Sequence, residues 1–149
     1  YYHDVVGYNY RLEGIQGAVL SVSLKYLPQW TERRKTIGRR YLEEITNPRI
    51  IMQAHPENTE PVFHLFEIKT PDPDHFIAYM AKRGIECNRH YPVPCHLQKA
   101  YADLRYQEGD CPNAEDLARH CVTLPLFPEM TDEEAGMVIE ACNAYQEME

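Results

Sequence analysis

The sequence predicts an α+β fold: a small antiparallel or mixed sheet covered by helices, preceded by two long helices. Three observations carry this. Apolar residues recur at helical spacing at Leu12, Ile15, Val19, Val22 and Tyr26. Three short runs, "VFHLFEI", "IECNRHY" and "VTLPL", have the length and large apolar residues of strands. The stretches between and after them carry helix start and stop signals.

Residues 1–11 read as irregular, with Gly7 as a flexible point. The first helix covers Leu12 to Leu27, where Pro28 breaks it, kinks it or starts the next. The second runs from about Gln29 to Ile45 and stops before Asn47-Pro48. Val62 to Ile68 is the first strand. In "PDPDHFIAYMAKRG", Asp72 or Asp74 caps a helix and Gly84 ends it in a left-handed conformation. Ile85 to Tyr91 is the second strand, stopped by Pro92, which cannot donate to a ladder. A short helix covers His96 to Leu104, and another starts at Pro112 after Asp110 or Cys111. Val122 to Leu126 is the third strand. Thr131 and Glu134 have capping-box spacing and open a terminal helix with Met137, Val138, Ala141 and Tyr145 on one face.

A length of 149 residues fits one domain able to bury a core without disulfides. The net charge of −8 makes nucleic acid and anionic membranes poor partners. Arg33, Arg34, Lys35, Arg39 and Arg40 are a local basic cluster that reads first as a solvated helix face and second as an anion site. No run approaches eighteen apolar residues, the length of a spanning helix, so no membrane partner is expected. Five scattered cysteines, an odd number without a CxxC, fit reduced thiols in the cytoplasm. The chain opens "YYHDVVGYNYRL" without an initiator Met and reads as part of a longer polypeptide.

Two segments are dense in chemistry. "HYPVPCHLQKAY" (His90 to Tyr101) holds three kinds of candidate. His90, Cys95 and His96 are metal-ligand types, but the short paired spacings of structural zinc are missing. Cys95 is a nucleophile type, but no residue pattern sets a base and an orienting group around it. As a ligand-reading loop the segment makes more sense. Pro92 and Pro94 stiffen it, and His90, Tyr91 and His96 offer hydrogen bonds and flat faces just past a strand end. Core or turn packing of the same rings is the alternative. In "GYNYRL" (Gly7 to Leu12), Asn9 can cap the following helix, and Arg11 offers a planar fork of donors to a phosphate or carboxylate.

Four segments stand together in order: "VGYNYRLEGIQGAVLSVSLKYLPQWTERRKTIGRRY", "VFHLFEI", "GIECNRHYPVPCHLQKAY" and "GDCPNAEDLARHCVTLPLFPEMTDEE". Over essentially the whole chain this resembles the C-terminal part of the DegT/DnrJ/StrS-type sugar aminotransferases, pyridoxal 5'-phosphate (PLP) enzymes of the aspartate aminotransferase fold. The resemblance implies a homodimer that moves an amino group from an amino acid, typically glutamate, to a nucleotide-linked keto sugar. It divides the chain into an interface loop with connecting helices (1–46) and a C-terminal small α+β domain (47–149). The PLP-binding large domain lies outside this sequence. By the same resemblance, Asn9 reaches the partner subunit's cofactor phosphate with Arg11 and Tyr8 beside it. His90, Tyr91 and His96 lie near the sugar nucleotide, in a segment that leans toward 3-keto sugars.

The family's Schiff-base lysine lies upstream of this chain, and Lys25, Lys35, Lys69, Lys82 and Lys99 are not in its motif. No catalytic residue is therefore expected here, and the chain alone is expected not to transaminate. Gly17 and Cys95 depart from the family's usual Ala and Leu. The alternatives are a non-catalytic binding or regulatory protein of the same fold, and a hydrolase built on Cys95.

Overall fold

The computed structural model describes Tyr8 and residues 10–146, so Gly7 and Asn9 lie outside the described residues. Helix α1 (Gly14–Ser23) and helix α2 (Leu27–Glu44) come first. Pro28 stands in the first turn of α2, where its missing N–H costs no helical bond, so it starts this helix rather than kinking the one before. The remaining order is β1 (Ile51–Met52), β2 (Phe66–Lys69), α3 (Pro73–Ala81), two 3-10 turns (Cys95–Leu97 and Lys99–Leu104), α4 (Pro112–His120), β3 (Cys121–Leu124) and α5 (Asp132–Ala144). None of the helices is long and apolar enough to cross a membrane among the described residues.

The sheet is antiparallel throughout, in the order β1-β2-β3. Phe66 pairs with Leu124, Glu67 with Thr123, Ile68 with Val122 and Lys69 with Cys121. Alternation along the strands separates two faces. Phe66, Ile68, Val122 and Leu124 enter one core with Ile37 and Tyr41 of α2, Phe76 and Met80 of α3, and Val138 and Cys142 of α5. Glu67, Lys69, Thr123 and Cys121 fall on the other face. There Lys69 Nζ lies 2.7 Å from Asp116 of α4, and the 89–91 segment approaches Thr123 and Cys121.

Two of the cap signals are realised, whereas α1 is capped by Glu13, with Gln16, and not by Asn9. Thr131 Oγ1 accepts from the Glu134 N–H (3.1 Å), and the Thr131 N–H donates to Glu134 Oε2 (2.8 Å). Asp72 accepts from the His75 N–H at the start of α3, and Gly84 follows that helix with φ of 75°.

Most of the basic cluster has internal partners, and Arg39 stays exposed on the solvated face. Arg33 donates to the Met130 carbonyl (2.6 Å) and pairs with Asp132 (2.8 Å). Arg34 donates to the carbonyls of Phe63, His64 and Leu126. Lys35 is buried and reaches Glu32 and Glu60. These side chains clip α2 to the loops around the sheet.

Three elements differ from expectation. The run Ile85 to Tyr91 is not a strand: only Asn88 bridges, to Thr123, exchanging both backbone bonds. Arg89 then turns its guanidinium to the carbonyls of Ala118 and Arg119 at the end of α4, which draws the chain off the ladder. The first strand is shorter than "VFHLFEI" because Phe63 has a positive φ (50°) and its ring packs on α2. The short helix after His96 is two 3-10 turns.

Helix α1 buries no residue. Ile15, Val19 and Val22, the apolar row that announced the helix, are all more than half exposed.

Candidate functional site

A cleft of about 580 Å³ lies among the 84–90 segment, residues 123–127 and α5. Leu65, Ile85, Leu126, Phe127 and Met137 give it an apolar wall. Asn88, His90 and Thr123 give it a polar end. An apolar concavity with a few convergent polar groups is the general form of a small-molecule site.

His90 is half-buried at that polar end. Its Nδ1 lies 2.6 Å from Thr123 Oγ1, and the Thr123 hydroxyl donates to Glu67 Oε1 through a very short bond. The Glu67 carboxylate is buried beneath both residues, 3.9 Å from His90 Nδ1, and its second oxygen is buried without a hydrogen-bond partner. Burial pushes the Glu67 carboxyl above its ordinary value, against the opposing pull of the Thr123 hydroxyl and of His90. Tyr91 follows across a cis peptide bond; it is exposed, with its ring 5.2 Å from the His90 ring.

His96 sits in a different environment. Its Nε2 lies 3.0 Å from Glu115 Oε1, and both side chains are buried. Glu115 also accepts from the N–H groups of Gly109 (2.9 and 3.0 Å) and Cys111 (3.2 Å). Burial pushes the Glu115 carboxyl up; the bonds from His96, Gly109 and Cys111 outweigh that and hold it below its ordinary value. His96 therefore fastens the 3-10 loop to α4. The structure brings His90 and Tyr91 together and gives His96 a partner of its own.

At the other end of the chain, Tyr8 and Arg11 are exposed, and the Tyr8 and Tyr10 rings lie 5.6 Å apart, tilted by 41°. The Glu13 N–H donates to Gln16 Oε1 at the entry to α1. Asn9, the residue expected to reach a phosphate, lies outside the described residues. Cys95 is exposed and Cys121 buried. Among the described residues no group of three His, Cys, Asp or Glu side chains is placed to hold a metal ion.

Glu67 and Thr123 belong to no motif of the sequence. Glu67 left a signal, since it is a carboxylate flanked by the apolar Phe66 and Ile68. Thr123 left none, because a threonine is ordinary in a strand.

Residues 1–143 match the model of the DegT/DnrJ/EryC1/StrS aminotransferase family. A dTDP-3-amino-3,4,6-trideoxy-alpha-D-glucose transaminase of Streptomyces venezuelae is 37% identical over 148 residues, 99% of this chain and 39% of that protein. A pleiotropic regulatory protein of Geobacillus stearothermophilus is 38% identical over 143 residues, 94% of this chain and 38% of that protein. Among solved structures, S. venezuelae DesV in complex with a ketimine intermediate superposes with a TM-score of 0.89 at 38% identity, covering 96% of this chain and 39% of that one. The chain thus spans about two fifths of the length of these relatives. With the family model matched over nearly its whole length, this chain belongs to the DegT/DnrJ/EryC1/StrS aminotransferase family.

Proposed function

We propose that this chain is the C-terminal portion of a PLP-dependent aminotransferase. The whole protein moves an amino group from an amino acid, glutamate in our reading, to a nucleotide-linked keto sugar, and works as a cytoplasmic homodimer. The observation that carries this is the match over residues 1–143 to the aminotransferase family, alongside relatives named as dTDP-sugar transaminases. Residues 1–46 serve as interface loop and connecting helices, and 47–149 as the small domain.

The chain's residues suit a contact with the cofactor's phosphate and not the holding of its ring. Arg11 is an exposed cation on the approach to α1, open to an anion from another subunit. No lysine lines the cleft among the described residues: Lys35 is held by Glu32 and Glu60, and Lys69 by Asp116. In this reading Asn9, Arg11 and Tyr8 meet the partner subunit's cofactor phosphate. Bound PLP supplies the electron sink that lets an amino group leave one carbon and join another. His90 and Tyr91 line the sugar-nucleotide site, with His96 holding their loop in place. The amine for covalent chemistry comes from the polypeptide outside this chain, so the chain alone is inactive.

A non-catalytic regulator is the second reading, favoured by the 38% identity to a pleiotropic regulatory protein. The test supplies the full-length protein with PLP, glutamate and a dTDP-linked 3-keto sugar and follows 2-oxoglutarate and amino sugar by mass spectrometry. Both products are expected from the full-length protein and neither from this chain. Sugar-nucleotide binding without either product would favour the regulator.

A further inference from the structure

The buried carboxylate of Glu67 has no place in the function described so far, yet it lies directly beneath the polar end of the cleft. While Glu67 is ionised its carboxylate can only accept, so the one proton of the Thr123 hydroxyl goes to Glu67 Oε1. The 2.6 Å contact between Thr123 Oγ1 and His90 Nδ1 must then have the imidazole as donor. This assigns the tautomer of neutral His90: Nδ1 carries the proton and Nε2 carries a lone pair. Nε2 is on the opposite side of the ring from Thr123, and no protein hydrogen-bond partner meets it among the described residues, while the ring itself lines the cleft.

We infer that Glu67, acting through Thr123, is a positioning residue that fixes His90 as a hydrogen-bond acceptor in the cleft, aimed at a hydroxyl of a sugar nucleotide. The inference rests on the reading of this cleft as part of the sugar-nucleotide site. A chain running from carboxylate to hydroxyl to imidazole orients the ring and selects its tautomer, as outer hydrogen-bond partners do for histidines in other sites. The geometry also explains why the carboxylate is kept. Glu67 Oε2 is buried and unpartnered. Burying an unpaired carboxylate oxygen is costly, so an apolar residue would serve a purely structural strand better. A neutral His90 without this chain could present either a donor or an acceptor; with it, only an acceptor faces the ligand.

The test uses the full-length protein labelled with ¹⁵N at histidine only, with the His90 signals identified by their loss in His90→Gln. Long-range ¹H–¹⁵N spectra should find the Nδ1–H tautomer at His90 in the wild type and in Thr123→Ser, and a mixture in Thr123→Val and Glu67→Gln. Binding of dTDP-glucose, followed by calorimetry, should weaken about tenfold in Thr123→Val and recover to within about twofold in Thr123→Ser. A wild-type His90 in the Nε2–H form, or one indifferent to Thr123→Val, overturns the inference. So does equal weakening in the valine and serine variants, which would mark a packing effect. If the wild type binds no dTDP-glucose, the sugar-nucleotide reading fails, while the spectra still decide whether Glu67 and Thr123 set the His90 tautomer.

Discussion

The ring of Phe63 packs against the backbone of Gly38: a Cβ on Gly38 would come within 2.5 Å of its Cδ2 and 2.6 Å of its Cγ. Both residues are buried, and Phe63 holds this position with a positive φ of 50°. Gly38→Ala therefore forces the ring away. Overpacking of this kind costs about 1–3 kcal/mol, offset by about 1 kcal/mol of helix propensity. Urea denaturation should find the variant less stable by up to about 2 kcal/mol, with an unchanged slope.

Glu115 holds the Gly109–Cys111 turn and His96 at one carboxylate. In Glu115→Gln the amide exchange of Gly109 and Cys111 should speed up by about tenfold or more, while amides of β2 and β3 keep their protection. Exchange followed by mass spectrometry checks this. Because the folded state holds this carboxyl below its ordinary value, its contribution is complete above pH 4.5 and is lost as pH falls through the lower folded value.

Glu67 has the opposite sign. Its folded value is raised, so its contribution to stability falls as pH rises from 4.5 through that folded value. His90 and Thr123 face it directly; Lys69, its neighbour on the same strand face, is engaged by Asp116 of α4, and Arg89 by the carbonyls at the end of α4. Thermal melts across this range should find the wild type losing stability relative to Glu67→Gln as pH rises. A constant difference between the two would exclude the effect.

No described residue covers the α1 row of Ile15, Val19 and Val22. Exposed apolar rows promote association. The isolated chain should self-associate with rising concentration in sedimentation velocity, or copurify with the polypeptide outside it. Ile15→Glu with Val19→Glu should shift it to monomer. A wild-type chain monomeric at all concentrations would contradict this.

Local chemistry made part of this architecture legible in the sequence. The Thr131–Glu134 box, the Asp72 cap, Gly84 and the Pro28 start each depend on residues within a few positions, and each is found in place. What stayed hidden depends on distant partners. Nothing in "IECNRHY" says that Arg89 will leave the ladder for the end of α4, thirty residues on. Strand β1 is two residues long, too short for any periodicity. In the site, the His90 segment stood out through its own composition. Glu67 and Thr123, 56 residues apart, became a unit only through the register of β2 and β3. His96 carried the same ring chemistry as His90, and only its distant partner Glu115 separates their roles.

Arg34 touches three carbonyls with a single nitrogen: Phe63 and His64 at 3.2 Å and Leu126 at 3.0 Å. Two of those residues, His64 and Leu126, border the cleft from separate parts of the chain. The guanidinium works as a keystone, with α2 as the wall it is set in. The two lips of the cleft run on from the paired strands β2 and β3 and are thus fixed a second time, to one helix. A guest that spread them would load α2, and through it the turn that leads back to α1. Methionine at this position would keep much of the apolar stem but supply no donor to the three carbonyls, removing the tie that holds both lips to α2.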